Sequence, residues 1–192
     1  MSEPSVTIRE ADQPGDLGWM IMAHGEVYAG DYGWDRSFEA LVARILADYA
    51  EQDPARARAW IAEVDGRRAG CVMCSAGDDP TPVPQTAGPQ TAVPQTAVPQ
   101  TAELHTLLVE PWARGHHLGT RLVDQCLSFA REAGYTRMKL WTNDPLVAAR
   151  SIYLSRGFRL VQEEPHHSFG ADMVGQFYEL DLREDALAGE RS

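Results

Sequence analysis

Arg114-Gly115-His116-His117-Leu118-Gly119-Thr120 is the stretch best suited to chemistry, because of what lies on either side of it. Upstream, Glu103-Leu104-His105-Thr106-Leu107-Leu108-Val109 reads as a strand. Downstream, Leu122, Val123, Cys126, Leu127 and Ala130 recur at helical spacing, so the polar, glycine-containing turn opens a helix. The first N–H groups of a helix lack intrahelical partners and carry the positive end of its dipole, so such a turn binds phosphate without needing a side chain. Arg114 adds a charge-assisted contact. Glu103 and His105 lie two apart on the strand and so share a face, where either can take a proton directly or through water.

These groups depend on the elements around them. Val6 to Ala11 alternates as a first strand, ended by Gln13-Pro14-Gly15. Asp16 is placed to cap a helix over Leu17 to Ala29, and Asp35 to cap a clearer one. In the second helix Phe38, Leu41, Val42, Ile45, Leu46 and Tyr49 form one buried face. Strands 59–64 and 68–74 join through Asp65-Gly66, a hairpin turn in which both residues tolerate positive φ. The turn-bearing helix runs from Thr120 to about Ala133 and stops at Gly134; strand 137–142 follows, so the helix crosses between two parallel strands. Asp144 is placed to cap a further helix with Pro145 in its first turn and Gly157 at its end, before strands 158–161 and 176–182. The tail from Arg183 is expected to be loose.

Between Gly77 and Glu103 the composition changes. Val83-Pro84-Gln85-Thr86-Ala87 recurs with a period of five through Ala102, and Pro80 to Pro99 holds six of the twelve prolines, a density that blocks a sheet ladder. We read residues 78–102 as an expanded loop within one domain covering 1–192, a loop that a proline-recognising partner could also use.

With 28 acidic and 17 basic residues the net charge is -11, which opposes nucleic acid and anionic lipid and favours a cationic partner. No apolar run approaches the roughly twenty residues of a membrane span, and Met1-Ser2-Glu3-Pro4 has no signal-peptide pattern, so a cytoplasmic protein is expected. The three cysteines make no disulfide framework. Cys71 and Cys74 form a C-x-x-C pattern inside a strand, where residues three apart face opposite ways, which suits buried side chains rather than a metal or redox pair. No metal is expected.

The order strand, V-x-P-x-x-R-G-x-x-x-G, helix resembles the coenzyme-A diphosphate loop of the GCN5-related N-acetyltransferases (GNAT), with Arg114 and Gly119 at the first and last positions of [RQ]-x-x-G-x-[GA]. His117 stands where the middle glycine is usual, and a left-handed backbone there would be strained. Asn143 and the stretch Ala148-Ala149-Arg150-Ser151-Ile152-Tyr153-Leu154-Ser155-Arg156-Gly157-Phe158 resemble the family's second signature, N-x4-A-x3-Y-x3-GF, and the order β-α-α-β-β-β-α-β-α-β-β is also the family's. The stretch from His24 to Val42 looks like the acetyltransferase half of proteins that fuse a MarR-type DNA-binding domain to this fold.

The resemblance implies an α+β fold: a mixed, mostly antiparallel sheet of about seven strands with a central parallel βαβ pair and about four helices. It implies acetyl-CoA as donor, held by Arg114, Gly115, His116, His117, Leu118, Gly119, Thr120 and Asn143, with its arm along Leu107, Leu108 and Val109. It also implies a bulge that splays this strand from the next, an oxyanion donor at the N–H of Leu108 or Val109, and Tyr153 as general acid. A phenol with a pKa near 10 is protonated at neutral pH and can donate to a departing thiolate. Glu103, His105 or a water is left as the base.

Glu26, Tyr28, Asp31, Tyr32 and Trp34 fall where this fold lines the acceptor side, and acidic with aromatic groups suit a cationic amine. His166-His167 is expected as a surface pair in the last hairpin loop. The reading is an N-acetyltransferase acting by direct attack on a primary amine, a small molecule ahead of a protein. A homodimer is left open, and an acetyl-CoA-binding regulatory module without turnover stands as the alternative.

Overall fold

A computed structural model of the protein describes residues 4–77 and 100–183. Its elements are β1 (Val6–Glu10), α1 (Asp16–Tyr32), α2 (Arg36–Ala50), β2 (Arg58–Val64), β3 (Arg67–Ala76), β4 (Thr101–Val109), a 3₁₀ turn (Pro111–Ala113), α3 (Leu118–Glu132), β5 (Arg137–Asn143), α4 (Val147–Ser155), β6 (Arg159–Ser168) and β7 (Ala171–Asp181). One sheet runs in the order β1-β2-β3-β4-β5-β7-β6. All neighbours are antiparallel except β4 and β5, the parallel pair that α3 connects.

Period-two alternation puts a core on each face of the sheet. Ile61, Cys71 and Met73 point toward α1 and α2, where Met20, Val27, Phe38, Val42 and Leu46 are buried. Trp60, Val72 and Cys74 point the other way, against Leu122, Val123, Cys126 and Ala130 of α3 and Tyr153 of α4. Cys71 and Cys74 therefore belong to different cores, as their spacing predicts. The β2–β3 hairpin turns at Asp65 (φ 50°) and Gly66 (φ 77°), both left-handed as expected.

The bulge falls in β4. His105 pairs with Met73 and Leu108 with Cys71, so β4 uses one residue more than β3, and Thr106 takes up the difference at φ 55°. Pairing of β4 with β5 ends at Leu104 opposite Leu140, while β5 stays paired with β7 through Asn143. Beyond Leu104 the sheet is open between its two central strands.

Several local expectations need correction. Asp35 caps α2, its carboxylate accepting from Ser37 N, but Asp16 does not cap α1, which runs on to Tyr32. Asp16 is buried and bonded to Arg9 at 2.7 and 3.0 Å and to Arg68 at 3.0 Å; Arg9 chiefly holds its pKa below the usual carboxylate range. Asp144 does not cap α4: its Oδ1 accepts from Val174 N at 2.8 Å, and the helix starts only at Val147, after Pro145. Helix α3 starts at Leu118 rather than Thr120. His166 and His167 lie in β6, not a loop, because the last hairpin turns later, at Phe169 and Gly170. Thr101 and Ala102, at the end of the five-residue repeat, belong to β4; residues 78–99 and the tail from 184 lie outside the described residues. No helix of the described residues is long and apolar enough to cross a membrane.

Candidate active site

The opening beside β4 is lined by two cavities. The first, about 360 Å³, is bounded by Leu107, Leu108 and Val109 of β4, by Arg114, Gly115, His117, Leu118, Gly119 and Thr120, by Asp31 and Tyr32 of α1, and by α4. The second, about 340 Å³, lies toward α2 and β5, and Glu103, His105, Asn143, Trp34, Trp141 and Tyr153 are among its walls. Tyr28, Leu107, Leu146 and Ala149 line both, so the cavities meet at the bulge.

The first cavity has the features of an anion site. The first bond of the α3 ladder runs from Arg121 N–H to His117 O, so the N–H groups of Leu118, Gly119 and Thr120 precede it. His117 is the N-cap residue at φ 56°, in the left-handed region usually left to glycine, and its side chain makes no capping bond. A Cβ on Gly119 would lie 2.8 Å from Ile152 Cδ1, so a larger residue where α3 meets α4 would have to displace that side chain. Arg114 lines this cavity but donates to Asp31 Oδ2 across it. His116 is exposed and does not line it.

The wall of β4 presents backbone donors. Glu110 N–H donates to Ala69 O, toward β3; successive N–H groups of a strand alternate in direction, so Val109 N–H faces away from β3. That side is the gap where pairing with β5 has stopped. Of Leu108 and Val109, the alternation selects Val109 as the donor facing the opening. Tyr28 Oη donates to Leu107 O at 3.3 Å, joining α1 to the same strand.

In the second cavity Glu103 lies between two nitrogens, 3.3 Å from Lys139 Nζ and 3.8 Å from His105 Nε2. Burial, seconded by Lys139, pushes the His105 pKa below its ordinary value, while Glu103 opposes the shift. Tyr153 is 4% exposed, and burial raises its pKa, so its hydroxyl holds a proton throughout the neutral range. Trp34 packs edge-on to Phe38 at 4.7 Å and Tyr28 tilts on Phe38 at 4.6 Å, forming a stiff aromatic wall.

The chain belongs to the acetyltransferase (GNAT) family. The family model matches residues 21–158, most of the chain and all of the described part of both cavities up to Tyr153. An uncharacterized N-acetyltransferase of Archaeoglobus fulgidus is 27% identical over 156 residues, 79% of this chain and 92% of that protein. One of Schizosaccharomyces pombe is 35% identical over 65 residues, 34% of this chain and 40% of that protein. Among solved structures, the yncA protein of Salmonella typhimurium with its cofactor acetyl-CoA superposes with a TM-score of 0.69 at 19% identity, covering 92% of this chain and 94% of that one. An N-acetyltransferase from Staphylococcus aureus Mu50 gives 0.70 at 18% identity, covering 93% and 99%. The fold is the GNAT fold.

Within this acetyltransferase framework some residues singled out from sequence fall elsewhere. Asn143 is buried in the wall of the second cavity, not the first, and its Oδ1 accepts from His166 Nε2 at 2.8 Å. Tyr32 lines the first cavity rather than the second, and exposed Glu26 lines neither. Glu26 instead borders a polar surface cleft with Arg67 and Glu110, because the helical phase that buries Val27 and Tyr28 turns it outward. His167 faces solvent and pairs with Asp172 at 2.7 Å. His24 and Thr106 line the second cavity and were missed; a histidine on the buried face of α1 reads from sequence as core, and Thr106 gains its position only through the bulge. Among the described residues no group of three or more histidine, cysteine or acidic side chains gathers as a metal site.

Proposed function

We propose that the protein is an acetyl-CoA-dependent N-acetyltransferase that acts on the primary amine of a small molecule, with the first cavity for the donor and the second for the acceptor. The observation that supports this most is that the two cavities meet at the β4 bulge, where Val109 N–H faces the gap. The residues fit the donor: unladdered N–H groups at the start of α3 and the Arg114 guanidinium suit a diphosphate, and the edge of β4 that has no β5 beside it beyond Leu104 suits an extended amide-bearing arm. When bound, acetyl-CoA supplies the acetyl group as an activated thioester.

The remaining tasks fall to the chain's own groups. His105 takes a proton from the attacking amine, with Glu103, itself held by Lys139, opposite its Nε2. Val109 N–H is a preorganised donor for a developing negative oxygen. Tyr153 Oη gives its proton to the departing sulfur; burial keeps that proton in place until then. No cysteine lines either cavity, and burial raises the pKa of Cys71 and Cys126, which supports direct attack over an acyl-cysteine route. A cavity of about 340 Å³ walled by helices suits a compact amine better than a protein tail.

The test is thiol release from acetyl-CoA across a panel of amines, comparing wild type with Tyr153→Phe. The expected result is turnover that falls about 10²- to 10⁴-fold in kcat in the variant, with KM for acetyl-CoA little changed. A second reading, an acetyl-CoA-responsive module like the MarR-fused proteins, draws on the left-handed His117 in place of a glycine, which a binding-only protein would tolerate. Coenzyme A binding with no thiol release on any amine would favour it.

A further inference from the structure

Asn143 ends β5 with a polar group that nothing in the mechanism uses. The residue is 2% exposed and lines the second cavity. Met138 and Leu140 belong to the core under α3, so strand alternation turns Trp141 and Asn143 to the opposite face. The carbonyl end of the side-chain amide is occupied, because Oδ1 accepts from His166 Nε2 at 2.8 Å. His166 is itself fixed by Ser168 Oγ, 2.9 Å from its Nδ1, and by Trp141, whose ring lies 5.8 Å from its own. The main chain is occupied too: Asn143 pairs with Gly175, and its O accepts from Leu146 N at 3.0 Å. That leaves Nδ2. It has no hydrogen-bond partner among the described residues, and it is not one of the unpaired atoms that the fold closes to solvent. A clamped amide therefore keeps its N–H groups for whatever fills the cavity.

The chemistry of the site narrows what that is. An amide N–H requires a lone pair, which an alkyl group lacks. Glu103 is the one acidic side chain among the described residues lining this cavity, and no lysine or arginine lines it, so a carboxylate on the ligand would be desolvated without a counter-charge. A neutral carbonyl avoids that cost. Extending the β4–β5 register past Leu104 and Leu140 puts Asn143 two residues, about 7 Å, beyond the level of His105. A carbonyl several bonds from the amine spans that interval.

We propose that Asn143, clamped by His166, binds a neutral carbonyl oxygen of the acceptor, which makes the substrate class an amino amide rather than a plain alkylamine or an amino acid. This rests on the reading of the second cavity as the acceptor site. The probes share one shape: 4-aminobutanamide, 4-methylpentylamine, in which an isopropyl group replaces the carboxamide, and 4-aminobutanoate. Wild type is expected to favour the amide over the carboxylate by about tenfold in kcat/KM. The ratio of amide to alkylamine should fall about fivefold or more in Asn143→Leu, which compares the variant on both probes and so cancels their difference in hydrophobicity. Asn143→Asp, which can still accept from His166 but offers no amide N–H, should lower the same ratio and preserves the test if Asn143→Leu does not fold.

A ratio of amide to alkylamine that survives both substitutions overturns the subsite, as does a wild-type preference for 4-aminobutanoate. A raised KM for acetyl-CoA with that ratio unchanged also overturns it and assigns the amide to the donor. If no probe is acetylated, calorimetry of the three in the presence of coenzyme A decides. Binding of 4-aminobutanamide that weakens in Asn143→Leu while 4-methylpentylamine is unaffected upholds the subsite although the transfer reading fails; absent or equally affected binding overturns the subsite.

Discussion

Arg114, in the turn before α3, donates through Nη2 to Asp31 Oδ2 near the end of α1, so that two walls of the first cavity are joined by an ion pair across it. A diphosphate must share Arg114 with Asp31 or displace it, and Asp31 repels it as a like charge. An exposed pair of this kind is worth about 0.2–1 kcal/mol, or up to about fivefold in affinity. Asp31→Asn should tighten coenzyme A by about two- to fivefold in calorimetry and Arg114→Gln should weaken it by about tenfold, both differences shrinking as salt is raised. Unchanged affinity in both variants would remove the turn from the donor site.

An imidazole can accept a proton only when neutral, and burial holds the His105 pKa below the usual value. The pH profile of kcat/KM should therefore be flat from neutral pH upward through this group and fall on the acid side, with a midpoint below about 6.5. His105→Gln should abolish that limb and cost about a hundredfold in kcat. Because Glu103 raises the His105 pKa, Glu103→Gln should move the limb to still lower pH. A limb that persists in His105→Gln would assign the base elsewhere.

His24 also sets a stability against pH. Its folded pKa is depressed to about 4 by burial, so its contribution is present above the unfolded value near 6.5 and is lost as the pH falls from there toward 4. The full loss is on the order of 3 kcal/mol. Urea denaturation at pH 7.5, 6.0 and 4.5 should show the midpoint falling through this window, with a shallower fall in His24→Phe. Parallel curves for the two proteins would contradict it.

Gly70 fixes the spacing of β3 and β4 beside the bulge. A Cβ there would lie 2.7 Å from Leu108 O, a backbone atom that cannot rotate away. Gly70→Ala should cost about 2 kcal/mol of stability and, by displacing the strand that presents Val109, raise KM for acetyl-CoA. Thermal unfolding and steady-state kinetics check the two effects separately.

The elements that position the site were legible in the chain because each has a local cause. Asp65-Gly66 specifies its turn, the spacing of Phe38 to Tyr49 specifies α2, and Leu122 to Ala130 specify α3. Asp16 and Asp144 have the composition of caps, but partners distant in sequence, Arg9 with Arg68 in one case and Val174 in the other, take their carboxylates. The division of the site into two cavities was not legible, because it depends on where β4 and β5 stop pairing. Hence the chain alone could not show that Asn143 lines the second cavity and Tyr32 the first, and His24, whose neighbours in sequence are core residues, gave no signal.

The end of β4–β5 pairing at Leu104 has one more consequence. Exposed strand rims invite other chains to add on and aggregate, so proteins usually blunt them. Here a rim of main chain with no strand beside it lies in the middle of the sheet, with α1 approaching from one face, where Tyr28 Oη donates to the Leu107 carbonyl, and α4 from the other. A slender molecule with its own peptide-like links fits such a slot and can add to the ladder, so thickness would count there before any side chain is consulted.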